Sequence, residues 1–159
     1  MVTNNIEQSL AELEAMPETI ASQVRGVPAD RWEIPVWQGE GGWNRRQLLA
    51  HLASINLRHL IRVRLGAGLP EPSGASAASL PGIDDFNAVE VESRDGRSVD
   101  ELLTEFRSTR GELVRLVRSL TPEQRQRFTM PRGNETLSLE QWAPFVVAHD
   151  RTHLAEILG

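Results

Sequence analysis

Four stretches of this chain repeat apolar residues at the three-and-four spacing of an amphipathic helix, and three of them open on a side-chain cap. A capping residue followed three positions later by Gln or Glu satisfies amide hydrogens that a helix start leaves unpaired. Asn44 with Gln47, Ser98 with Glu101, and Ser138 with Gln141 are such pairs. The pattern predicts an all-α four-helix bundle. Its first helix runs from about Asn4 to Val27 on Ile6, Leu10, Leu13, Ile20 and Val24, and Pro17, lacking an amide hydrogen, should kink or split it. The second runs from Asn44 through Leu48, Leu52, Ile55 and Val63 to a stop at Gly66. The third carries Leu102, Phe106, Leu113 and Val117, with a short separate turn at Thr121-Pro122-Glu123-Gln124. The fourth carries Trp142, Phe145, Val146, His149, His153 and Ile157.

Between the second and third helices lies a linker, residues 66–97, rich in Gly, Pro, Ala and Ser around PEPSGASAASLPG. A turn between antiparallel neighbours needs only a few residues, so a connection this long predicts a crossover that returns the chain before the third helix starts. The expected order is up-down-down-up, with the second and fourth helices antiparallel.

With 159 residues, 40% of them apolar, the chain suits one domain spanning 1–159. A net charge of -5 argues against nucleic acid or an anionic membrane as partner. The chain has no Cys, so it offers no disulfide, thiolate ligand or thiol nucleophile, and sulfur chemistry would need an external thiol. No basic segment leads into an apolar run at the start, and no stretch approaches the eighteen or so apolar residues of a membrane span. A soluble, cytoplasmic protein is expected.

His149 and His153 stand four residues apart on the apolar stripe of the last helix. Their Cβ atoms are therefore about 6 Å apart, a span one metal ion bridges, although two core histidines satisfied by hydrogen bonds would show the same spacing. Depth along the bundle selects the third ligand. His51 lies about 10 Å inside the start of the second helix, and His153 and His149 lie about 9 and 15 Å from the end of the fourth. In the crossover topology these three are level, and His59, about 12 Å further along, becomes a surface or rim residue. Three imidazoles leave a coordination position open for water or substrate and suit Zn, Ni or Fe(II). The groups placed to assist are Glu156, one turn beyond His153; Asn56, beyond His51; and the linker acids Asp84 and Asp85. Each also has a plain structural or solvated reading. Asp150, rotated about 100° from the ligand stripe, should fix a helix contact, and Trp43, just before a cap, should anchor packing.

At these residues the chain resembles the DinB-like family of damage-inducible and thiol-transferase proteins. The resemblance covers nearly the whole chain: GGWNRRQLLAHLASIN leading to a first His, then RVRL, LPGIDDF, and VVAHDRTHLAEI with its closing pair of histidines. It implies a metal-binding four-helix bundle with crossover topology, a triad of His51, His149 and His153, and a homodimer. Asn56 stands where many relatives carry an acid and Glu156 where many carry Gln. The implied activity is transfer of a small thiol of the bacillithiol or mycothiol type to an electrophilic small molecule, or hydrolysis by activated water. The alternative is a non-enzymatic stress-response bundle that binds a metal or ligand, with the metal clipping two helices together.

Overall fold

The computed structural model describes residues 6–37, 42–72, 74, 76 and 79–159. Four long helices form the bundle: α1 (Ile6–Val24), α2 (Arg45–Gly66), α4 (Val99–Ser119) and α6 (Leu139–Leu158). A ten-residue helix, α3 (Ile83–Glu92), precedes α4, and a short α5 (Pro122–Arg127) follows it. A hairpin of β1 (Met130–Arg132) and β2 (Glu135–Leu137) leads into α6. The capping boxes at Asn44, Ser98, Thr121 and Ser138 all form, so each of these helices starts where its sequence signal stands.

Side-chain contacts fix the helix directions. Arg45, at the start of α2, donates to the Ile157 carbonyl at the end of α6 at 2.8 Å. Further along, His51 meets His149 at 3.0 Å and His59 lies against Trp142 with ring centroids 5.7 Å apart, so α2 and α6 are antiparallel. Arg46 reaches the Arg97 carbonyl just ahead of α4 at 2.9 Å, and Asn56 bonds Thr109 at 3.1 Å, so α2 and α4 run in the same direction. Glu18 pairs with Arg107 and Glu14 with Arg118, which makes α1 antiparallel to α4. The order is up-down-down-up, as the long connection predicted.

Three local expectations need correction. The 66–97 segment is not linker throughout. Pro81 and Gly82 introduce α3, whose acidic first turn suits a helix start and whose Phe86 packs under Arg58 of α2. Pro17 does not break α1, which is continuous from Ile6 to Val24; the expected start at Asn4 lies outside the described residues. The carbonyl that the Pro17 amide would have bonded, that of Leu13, instead accepts from the Arg110 guanidinium at 3.3 Å. The β-hairpin was not expected, because three-residue strands carry too little alternation to read. Its one sequence signal is Gly133-Asn134, a two-residue loop in which Gly133 has φ 57.

Arg110 and Asp150 are both fully buried and pair at 2.6 Å between α4 and α6. Removing one member of such a pair strands the other charge in the core. Arg110→Met is therefore expected to lower unfolding free energy by about 3–5 kcal/mol, measured by urea denaturation. A loss below about 1 kcal/mol would show that the pair does not anchor the bundle.

Candidate metal centre

The antiparallel packing of α2 on α6 brings together the three histidines that the depth argument selected. One ligand nitrogen from each of His51, His149 and His153 lies within 4.8 Å of the others. His51 is buried, with Nε2 3.0 Å from Nε2 of His149, and the His149 and His153 rings meet edge-on at 4.5 Å between centroids. Nitrogens sharing one ion at about 2.0–2.1 Å each stand some 3–4 Å apart, so the closest pair has the spacing of two ligands on one metal.

Carboxylates stand behind two of the rings. Glu156 Oε2 is 2.6 Å from Nδ1 of His153 and leaves that ring's Nε2 for the cluster. Asp150 Oδ1 is 3.6 Å from Nδ1 of His149, a charge contact rather than a full hydrogen bond. A carboxylate at the outer nitrogen fixes the tautomer that presents the inner one, as metal-bound histidines commonly require.

Two of the imidazoles, those of His51 and His153, are held toward their neutral form. Burial, with His149 and His153 adding like charge, pushes His51 from its ordinary 6.5 down to about 3, opposed by interaction with Asn87 of α3. Burial also lowers His153, with Glu156 working against it. Neutral imidazole is the form that binds a metal, so the donor set fits a divalent transition ion.

The cluster opens into a cavity of about 950 Å³ between α2, α3, α6 and the hairpin. Trp43 forms one wall, its ring 5.2 Å from that of His51 and 6.2 Å from that of Trp37, so it lines the site as well as packing.

Of the four proposed assisting residues only Asp84 lines this cavity; Glu156 stands behind His153, and Asn56 and Asp85 lie away from it. Asn56 is five positions from His51, about 140° around the helix, and therefore faces α4 rather than the site. It is fully buried there, donating to Thr109 and accepting from Arg110 Nε at 2.9 Å. Of the two linker acids, Asp84 borders the cavity and Asp85 does not, because one step along α3 turns the side chain away.

His59 is not a surface residue. Only 6% exposed, it lines the far part of the cavity against Trp142, and its Nδ1 has no hydrogen-bond partner among the described residues. Burial, with Arg110 next in importance, lowers it to about 3. His59 lies outside the three-histidine cluster, and the depth argument missed its burial because α3 and the hairpin cover that end of α2. Arg58 and Arg62 also line the cavity, and the sequence reading did not single them out.

The fold is a four-helix bundle of crossover topology, with three histidines from two antiparallel helices grouped closely enough to hold one metal ion at one end of a cavity. The chain belongs to the DinB superfamily, whose profile matches residues 7–157. It is similar to the putative metal-dependent hydrolase YfiT of Bacillus subtilis, at 28% identity over 149 residues covering 91% of this chain and 78% of that protein. A structure of YfiT from Bacillus subtilis, described as a probable metal-dependent hydrolase with an unusual four-helix bundle topology, superposes with a TM-score of 0.74. That match has 23% identity and covers 99% of this chain and 86% of the other. The uncharacterised protein Rv0036c of Mycobacterium tuberculosis is 35% identical over 104 residues, 65% of this chain but only 38% of that protein. Among the described residues no helix is long and apolar enough to cross a membrane.

The buried histidines make stability depend on pH. His51 and His59 have folded-state values near 3 against 6.5 ordinarily, so below about 6.5 the unfolded chain takes up protons that the folded chain does not. With chelator present, stability should be level above pH 7 and fall steadily from about pH 6.5 toward pH 3, and His59→Phe should flatten that fall. Denaturant titrations across this range test it; a stability that rises on acidification would contradict the buried neutral state.

Proposed function

We propose that this chain is a metal-dependent enzyme acting on a small electrophilic substrate, with one divalent transition ion held by His51, His149 and His153. The observation that carries this reading is the convergence of three imidazoles on one end of a large cavity, with no fourth protein ligand in the cluster among the described residues. A bound Zn, Ni or Fe ion would act as a Lewis acid, lowering the pKa of a water or thiol at its open position. Hydrolysis is the leading reaction, supported by the name of the Bacillus relative. Transfer of an external low-molecular-weight thiol is the variant that a chain without cysteine accommodates.

In this reading Glu156 is a positioning residue that holds the outer nitrogen of His153, and Asp150 stands behind that of His149 at a longer distance. Trp43, Ile55 and Phe145 narrow the space around the substrate, and Asp84 is the carboxylate that borders the cavity. Asn56 contributes through the Arg110 network, and Asp85 has no role at the reacting atoms.

Elemental analysis of protein purified without an affinity tag should find about one Zn, Ni, Fe or Mn per chain, abolished in His51→Ala and retained in His59→Ala. Chelation should remove hydrolysis of activated esters or thiol transfer, and metal should restore it. Absence of metal at high protein concentration would sink the proposal. A metal that raises the unfolding temperature yet supports no turnover would leave only the helix-clipping role.

A further inference from the structure

The cavity has two chemically different ends. One face of α2 presents His51, Ile55, Arg58, Arg62 and Leu65 in succession, residues at three- and four-residue steps that all line the same space. His51 and Arg58 are seven residues apart, about 10 Å along the helix, and Arg62 is about 6 Å further on. The metal-binding end thus gives way through an apolar middle to an arginine end.

These two arginines, although they line a cavity, lack the carboxylate partners that several other arginines of the chain have. Arg46, Arg94, Arg107, Arg110 and Arg118 all pair with carboxylates. Arg58 is 9% exposed, and its Nη1 donates to the Pro81 carbonyl at 2.7 Å. Its Nε is buried with no partner among the described residues. Arg62 donates to the Pro131 carbonyl, and neither side chain has an ion pair among the described residues. Asp84 is the acid bordering this cavity, against Arg58, Arg62 and Arg132; Arg132 has Glu135 at 3.7 Å and lies over Phe145. Burial and the nearness of Arg58 disfavour the charge on Arg62, a cost that a bound anion would relieve. His59, next to Arg58 in the chain, lines the same far part of the cavity with its unpartnered Nδ1.

We propose that Arg58 and Arg62 form an anion subsite, so that the substrate or co-substrate carries a carboxylate or phosphate at the end remote from its reacting group. The inference rests on the metal-dependent reading above and names the class of molecule that site takes. A guanidinium with free donors in a half-enclosed, apolar-walled cavity recognises such oxyanions through charge-assisted hydrogen bonds, which are stronger than neutral ones.

The test uses cobalt(II)-loaded full-length protein and three thiols of equal chain length: 8-mercaptooctanoate, 8-mercaptooctyl phosphate and neutral 8-mercaptooctanol. Calorimetry reads affinity, and the sulfur-to-cobalt absorption band reads whether the thiol reaches the metal. Either anionic thiol should bind at least about tenfold more tightly than the alcohol, and the preferred one identifies the oxyanion. Arg62→Gln and, separately, Arg58→Gln should reduce the anion's affinity toward that of the alcohol while leaving the alcohol's unchanged. Equal affinity for all three thiols, or an anion preference that survives in both variants, overturns the subsite. Should Arg58→Gln fold poorly, Arg62→Gln decides alone, because its contact to the hairpin is at the surface. An anion preference without the absorption band would uphold the subsite and count against the metal reading.

Discussion

The buried Arg110 guanidinium joins all four long helices. From α4 it bonds the Leu13 carbonyl on α1, Asn56 on α2 and Asp150 on α6. A charge taken out of water is costly unless its counter-ion and most of its donors are supplied in good geometry, so these partners must be in register together, although Arg110 Nη2 has no partner among the described residues. The same requirement reaches the histidine cluster, since Asp150 is adjacent to His149 and stands behind its ring. Setting α6 for Arg110 also sets the height at which His149 and His153 meet His51.

That height depends on α2 and α4 running in the same direction. A short turn would have made them antiparallel and, with α6 following, put His59 rather than His51 level with the histidine pair. The connection that permits the crossover also supplies α3, which covers one side of α2 and closes the cavity. The Gly66 Cα lies so near the hairpin that an added Cβ would come within 2.7 Å of the Thr129 carbonyl. The helix end and the strands are thus packed together, and a half-enclosed cavity replaces an open groove.

Much of this was legible in the residues. Helix starts follow from local capping chemistry, which involves only three or four neighbours, so Asn44, Ser98 and Ser138 could be placed without any tertiary information. The histidine triad followed from helical rise together with one topological inference from linker length. Asn56 had both an assisting and a structural reading, and the position of α4 decided for the hydrogen-bonding one. Arg110 stands on the apolar stripe of its helix, four residues after Phe106 and three before Leu113, a burial signal that the reading of apolar residues alone passed over. Arg58 and Arg62 carried no such signal, lying on a helix whose solvent face is not evident from its mixed pattern.

By itself the sequence determined the helical class, the starts of the helices and the set of histidines able to converge, because periodicity and capping are short-range properties of the chain. Only the tertiary structure decided which polar side chains are buried, which carboxylates stand behind the histidines and which charges face the cavity. Those depend on elements distant in sequence, such as α3 and the hairpin folding over α2, and no local spacing encodes what will cover a given face.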